Sequence, residues 1–541
     1  MPKKREAKPV LLGNQTHKRR DRAQELRSAR RQGVLAKRRK LDEYPRAGGD
    51  RLPESWSEEE LSSAIQGVRD SCTSQILPHL VRLRKLLSLE YPPVEEVVDR
   101  GLAPRLIQLL GTQNDEIQIE VTWCITNIAS SWSRHAQSIL GATPQLISFL
   151  SAPNPALQEQ SLWALGNIAG DSCDSRDLLR ANGVLVPIFR LLQQPPTIEI
   201  ARTAAWTISN LARGDKTPGT PFLEAAPSVI AALRGSVAVS TVCGPGGGGG
   251  ATRDGPLRVE AAWILAFLTA KENETASVLV AAGMVPALVE ALVDSGGQDP
   301  LCTPALRALG NMVSGAEEWA DAVMAHQEFL PCLDAILRAQ SQRTLAKEAA
   351  WVASNVAAGR SEHRAALIEL GTPAALTTLL LSDQLDLQQE AAYGIWNVIS
   401  HDRGLLAQAA KDDKIVSAFA GLVRAQSPPV VRCALSFLQL VCEKVPGGAR
   451  IVEECGGLEA IDDVHYGGQT DADLREAAGA IVDKYFGEEG YDSSDEEEDD
   501  DDSGGGGGKG GWARNSTQAG DQPFAPLGRG AHLTRPAWMN P

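Results

Sequence analysis

One motif recurs seven times along this chain, and that recurrence limits the possible folds more than any other feature. It reads 121-VTWCITNIAS, 161-SLWALGNIAG, 204-AAWTISNLAR, 261-AAWILAFLTA, 305-ALRALGNMVSG, 349-AAWVASNVAAG and 391-AAYGIWNVIS. The anchor positions Trp123, Trp163, Trp206, Trp263, Arg307, Trp351 and Tyr393 are spaced by 40, 43, 57, 44, 44 and 42 residues. A second element precedes several of them, a Gly-x-x-Pro followed by an apolar run: 101-GLAPRLIQLL, 141-GATPQLISFL, 283-GMVPALVEAL and the shortened 371-GTPAALTTLL. Glycine suits the end of one helix and proline the first turn of the next. The apolar residues after each proline recur at three- and four-residue steps, which marks one buried helix face.

A unit of about 42 residues with two or three helices is too small to enclose a core, so its copies must stack into one continuous core. This period is the mark of armadillo and HEAT arrays. The fold expected is all-α, a right-handed armadillo-repeat superhelical solenoid of about ten repeats over residues 76–487. The 57-residue spacing contains 244-GPGGGGGATRDG-255, expected to be a loop insertion over residues 237–256. It lacks the Lys-Ser/Thr ending of a phosphate-binding loop.

Charge is unevenly spread. The 541 residues carry 53 Lys and Arg against 68 Asp and Glu, a formal charge of −15. Yet residues 1–40 hold 15 basic and three acidic residues, while 488-EEGYDSSDEEEDDDD-502 holds 11 acidic residues and no basic one. A basic segment (1–50), a linker (51–75), the array and a disordered acidic and Gly-rich tail (488–541) are the expected divisions. The basic head can be attracted to its own acidic body. There is no run of 18 apolar residues and no apolar stretch near the N-terminus, so neither a membrane span nor secretion is expected. Nine cysteines without a CxxC pair are expected to be reduced thiols. The eight histidines form no metal-spaced pair or nucleophile arrangement; no enzyme activity, cofactor or metal is expected.

Within the repeated motif, the anchor, the residue three before it and the residue four after it share one helix face. That face reads Glu120-Trp123-Asn127, Gln160-Trp163-Asn167, Trp206-Asn210, Glu348-Trp351-Asn355 and Glu390-Tyr393-Asn397. Repeated Trp, Asn and acid is poor core material, because a buried carboxamide needs a partner. The stripe is therefore expected to line an open groove. Indoles would flank the stems of Lys or Arg with about 0.5–2 kcal/mol of cation–π attraction per site. Asn would pair with both polar groups of an extended peptide backbone, and the carboxylates would select its cationic heads. The plainer alternative makes each Trp a core aromatic and each Asn the cap of a local turn.

The order of the repeats resembles the importin alpha family, nuclear import adaptors, over nearly all of residues 10–487. That family has three Trp/Asn pairs, then Trp with an aromatic, then Arg/Asn, then two Trp/Asn pairs. This chain has Trp123/Asn127, Trp163/Asn167, Trp206/Asn210, Trp263/Phe267, Arg307/Asn311, Trp351/Asn355 and Tyr393/Asn397. The resemblance implies a major cargo site over the first three pairs, with Gln160 and with Asp171 pairing the key lysine of a nuclear localisation signal. It implies a minor site from Arg307, Asn311, Glu317, Glu348, Trp351, Asn355, Glu390, Tyr393 and Asn397. Departures from the family pattern are Ser131-Trp132, Ala136, Phe267 and Tyr393.

The head resembles the family's importin-beta-binding segment, with clusters Lys18-Arg19-Arg20, Arg27, Arg30-Arg31 and Lys37-Arg38-Arg39. Poor in apolar residues, it is expected to become helical only when bound. A nucleic-acid-binding arm or a localisation signal for the chain itself are the alternatives; no specific nucleic acid is expected. Lys37-Arg38-Arg39 also looks like a cargo signal, so it is expected to compete for the chain's own groove until importin beta captures it. For the family, the end of the array and the acidic tail imply an export receptor with Ran in its GTP form, and shuttling between cytoplasm and nucleus. The competing function is a non-transport armadillo scaffold for other basic peptides.

Overall fold

The computed structural model describes residue 37 and residues 55–214, 217–237, 253–297, 300–340, 342–467 and 471–487. Every regular element among these residues is a helix. They divide into two compact units, one ending at Ala291 and one starting at Leu292.

In each unit the repeated motif is one long helix clamped between its counterparts in the neighbouring repeats. Pro155–Ala169 packs on Asp115–Ala129 to one side and Ile198–Ala212 to the other; in the second unit Arg343–Ala357 packs between Cys302–Val313 and Leu385–Ile399. Contact on both sides explains why these helices are apolar over most of their circumference and not only along one stripe. Thus Leu157, Leu162, Ala164, Leu165, Ile168 and Ala169 are all buried. The helices Ala103–Leu109, Thr143–Phe149 and Thr372–Leu380 cover the other side of this core, each packed on the long helix that follows it.

The turn chemistry follows the sequence with one exception. Gly101, Gly283 and Gly371 adopt φ of +70°, +82° and +77°, the left-handed geometry that stops a helix, and Pro104, Pro286 and Pro373 open the next. Gly141 instead sits in a 3₁₀ turn, Leu140–Ala142, so that chain reversal is made without a left-handed residue.

Two boundaries differ from those expected. The linker assigned to residues 51–75 contains a helix, Glu58–Asp70, whose Leu61, Ala64, Ile65 and Val68 are buried against Leu77–Leu87. Ser57 Oγ accepts the Glu60 amide and three glutamates fill the first turn, both favourable at a helix start. The folded array therefore begins at Glu58. The Gly-rich insertion ends by Asp254. That carboxylate caps the Trp263 helix by accepting the Leu257 amide at 2.8 Å, and it takes Arg202 Nε at 3.0 Å. Residues 238–252 lie outside the described residues, as do the tail at 488–541 and the head apart from Lys37.

Within each unit successive long helices approach closely where the position three after an anchor is small: Thr126, Gly166 and Ser209 in the first, Gly310 and Ser354 in the second. At Gly166 and Gly310 an added Cβ would collide with the ring of the next repeat's indole, Trp206 and Trp351 respectively. Trp206 and Trp351 thus lie against the backbone of the repeat before them. Gly166→Ala is expected to destabilise the protein by about 1–3 kcal/mol through overpacking, read as a lower thermal midpoint. Gly421→Ala, where an added Cβ meets nothing within 4 Å, is expected to leave that midpoint unchanged or raise it slightly.

Candidate functional site

The first three anchors lie on adjacent packed helices. Trp163 and Trp206 lie with ring centroids 6.0 Å apart at 51°. Trp123 carries the guanidinium of Arg84 over its ring at 4.5 Å, and Arg84 Nε donates to Glu120 Oε2 at 2.7 Å. The stripe therefore already holds one internal cation–π pair, supplied by the repeat before it.

The stripe is not open as expected. Trp123 and Trp206 are each 2% exposed, and Asn127 and Asn167 are fully buried. Asn210, Asn355, Asn397 and Trp351 are buried as well, while Trp163, Trp263, Arg307, Asn311 and Tyr393 are half-buried. The cause is a hydrogen bond between repeats. Asn167 Nδ2 donates to Thr126 O, Asn210 Nδ2 to Gly166 O and Asn397 Nδ2 to Ser354 O, each at 3.0 Å. In all three the acceptor is the carbonyl three residues after the preceding anchor, and at Gly166 that same residue also floors the next indole, Trp206. Asn127, at the start of the ladder, donates instead to Ser88 Oγ at 3.0 Å. The carboxamides are buried because they have these partners, the condition the sequence reading took to be lacking. The Leu-Gly-Asn spelling at 165–167 and 309–311 carried the signal: glycine there makes sense only if something lies on it.

Where Asn is replaced, a different contact fills the ladder. Phe267 stacks on Trp263 with centroids 5.7 Å apart at 26°, and the Arg213 guanidinium lies 5.6 Å over its ring. Burial, reinforced by the nearby Arg176 charge, lowers the Arg213 pKa to about 10. In the second unit Arg307 replaces an indole and ion-pairs with Glu348 of the following repeat.

The acids expected to meet incoming cations are partly engaged within the chain. Glu120 is paired with Arg84 and Glu348 with Arg307, and Glu317 accepts Arg360 Nη2 at 3.2 Å. Burial pushes the Glu348 carboxyl up, against the pull of Arg307. Burial also pushes the Tyr393 phenol up. Gln160 is buried, as are Glu390 and Trp396.

One acid holds a lysine. Lys37 Nζ donates to Asp171 Oδ1 at 2.7 Å and to Ser131 O at 2.9 Å, and the Asp171 side chain is 2% exposed. The other carboxylate oxygen accepts Ser133 Oγ at 2.9 Å and Gln137 Nε2 at 3.2 Å. Burial alone would raise this carboxyl; the hydrogen bond and charge of Lys37, then Ser133 and Gln137, outweigh it and hold it below the ordinary carboxylate value. A depressed carboxylate contributes fully above its ordinary pKa of about 3.9 and is lost as pH falls through the lowered value, so this contact is constant across neutral pH. Ser133 and Gln137 were not singled out in the sequence. The remaining head positions Lys18, Arg19, Arg20, Arg27, Arg30, Arg31, Arg38 and Arg39 lie outside the described residues.

The model of the armadillo/beta-catenin-like repeat matches residues 91–130 and 135–170. Importin subunit alpha-2 of Oryza sativa subsp. japonica is 34% identical over 449 residues, spanning 80% of this chain and 82% of the relative. The chain belongs to the importin alpha family. Importin subunit alpha-9 of Arabidopsis thaliana is 31% identical over 454 residues, covering 80% of this chain and 84% of the relative. A solved structure of an engineered protein overlays with a TM-score of 0.65 at 21% identity, over 78% of this chain and 98% of that one; it supports the solenoid fold alone. As a family member the chain is an armadillo-repeat nuclear import adaptor, not an enzyme.

The ladder makes the asparagines structural whatever else they do. Asn167→Ala is expected to cost about 1–3 kcal/mol, because it removes a buried bond between repeats. Asn355 Nδ2 makes no such bond, so Asn355→Ala is expected to cost less. Denaturant unfolding of the two variants beside the parent checks the order.

Proposed function

We propose that the chain binds Lys/Arg-rich nuclear localisation signals at the Asp171 pocket and links them to importin beta through its basic head. The observation that carries this reading is the ammonium of Lys37 shared between Asp171 Oδ1 and Ser131 O. A lysine held by a buried carboxylate and a main-chain carbonyl is what a lysine-selective pocket needs, and the flanking indoles suit the stems of neighbouring cationic side chains. The asparagines spend one N–H on the ladder; a carboxamide has a second N–H and an acceptor oxygen with which to meet a peptide backbone. The burial of Trp123 and Trp206 shifts the weight of the reading from the indoles to Asp171.

Lys37 belongs to the cluster that resembles a cargo signal, so its position favours autoinhibition. Twenty residues separate Lys37 from Glu58, where the array begins. A coil of that length would span about 25 Å, giving a local concentration on the order of millimolar. Capture of the head by importin beta would remove this competitor and raise cargo affinity, a coupling between two ligands through one tethered segment. A second cargo site around Glu348, Trp351, Asn355, Glu390, Tyr393 and Asn397 is supported by two buried atoms without hydrogen-bond partners, Glu348 Oε2 and Asn355 Nδ2. They supply an acceptor and a donor on one helix. We assign the acidic tail and the end of the array to an export receptor with Ran-GTP.

Titration of the full chain with a short Lys/Arg-rich peptide tests the scheme. Lys37→Ala is expected to tighten binding about ten-fold, and Asp171→Lys to abolish it. Equal affinities for the parent and Lys37→Ala would remove autoinhibition. Binding that survives Asp171→Lys would remove the adaptor mechanism and leave a scaffold for other peptides.

A further inference from the structure

The two oxygens of Asp171 are used differently. Oδ1 accepts the Lys37 ammonium at 2.7 Å, and the Ser131 carbonyl accepts the same ammonium at 2.9 Å. Oδ2 accepts two donors from the preceding repeat, Ser133 Oγ at 2.9 Å and Gln137 Nε2 at 3.2 Å. Both donors stand on the short helix Ser133–Ser138, four residues apart and so on one face of it. Gln137 Nε2 also lies 3.4 Å from Ser175 Oγ, which ties it to the helix Cys173–Ala181 beside Asp171. Ala136, a departure from the family pattern, is fully buried and brings no polar side-chain atom to the pocket.

We propose that Ser133 and Gln137 are positioning residues that make the pocket prefer lysine over arginine, on the reading that cargo enters at Asp171. They do so by occupying the carboxylate oxygen that a guanidinium needs. A carboxylate offers about four acceptor sites, two on each oxygen, so two donors fill Oδ2. A guanidinium pairs best with a carboxylate through two parallel N–H bonds, one to each oxygen. With Oδ2 filled, an arginine in the pocket makes one bond of that pair, and the other N–H enters a buried site without its partner, which is costly. An ammonium loses nothing by the arrangement. It is a compact charge with three donors, and Asp171 Oδ1 and the Ser131 carbonyl satisfy two of them. Asp171 supplies the charge that attracts either cation, and its two neighbours turn away one of them by denying it a partner.

Titration of the full chain carrying Lys37→Ala, so that the internal lysine does not mask the pocket, tests this with a short all-lysine peptide and its all-arginine counterpart. Preferences at other positions of the peptide enter parent and variant alike and cancel in the comparison. Ser133→Ala combined with Gln137→Ala is expected to lower the lysine-over-arginine affinity ratio about ten-fold, because Oδ2 can then take the second N–H of a guanidinium. Gln137→Ala alone is expected to move the ratio part of the way, and Ser133→Thr, which keeps the hydroxyl, to leave it as in the parent. Both side chains are exposed, so the variants are expected to keep a thermal midpoint close to the parent's. An unchanged ratio in the double variant, with both peptides weakened alike or neither, would overturn the proposal, since a merely structural pair of residues would not tell the two cations apart. If the Lys37→Ala parent binds neither peptide, the cargo reading itself fails and this proposal with it.

Discussion

The stack of repeats depends on the close approach of one long helix to a small residue of the helix before it, made by an indole lying on that residue, by an asparagine donating to its carbonyl, or by both. Trp206 on Gly166, with Asn210 Nδ2 bonded to Gly166 O, is its fullest form. The contact does two things at once. It removes apolar ring surface from water, and it gives a buried carboxamide the partner without which burial would be costly. Because the acceptor carbonyl belongs to the floor residue, the two halves fix the same distance between helices. A larger side chain at the floor would push the ring away and break the bond together with the packing.

That arrangement also explains why the variations in the ladder are tolerated. At Phe267 the carboxamide is missing, and Arg213 covers the ring instead. At Arg307 the indole is missing, and an ion pair to buried Glu348 joins this helix to the one that follows. Each substitution replaces one inter-repeat interaction by another of different chemistry. At the start of the ladder Asn127 turns to Ser88 and Trp123 to Arg84, both contributed by the first repeat. These contacts all join one repeat to the next.

Much of this was legible in the sequence. The period, the proline positions and three of the four glycine stops predict the helices well, because they rest on local backbone chemistry. The helix Glu58–Asp70 was missed, although Ser57 followed by three glutamates and apolar residues at three- and four-residue steps is a sufficient signal. The burial of the asparagines was misread for a different reason. A single helix shows that Trp and Asn share a face, but whether that face meets water or another helix depends on the next repeat. Only the glycine at 166 and 310 hinted at the answer. Asp171 could be singled out by resemblance, whereas Ser133 and Gln137 orient it from the short helix Ser133–Ser138 of the preceding repeat, a contact that no local pattern encodes.

The central claim is that one pocket, built from Asp171 and the Ser131 carbonyl, holds a cationic side chain and is filled internally by Lys37. The most direct measurement is a crystal structure of the chain bound to a short lysine-rich peptide. The account predicts a peptide ammonium about 3 Å from Asp171 Oδ1 and Ser131 O, with Lys37 displaced. A peptide bound elsewhere while Lys37 keeps its place would contradict it.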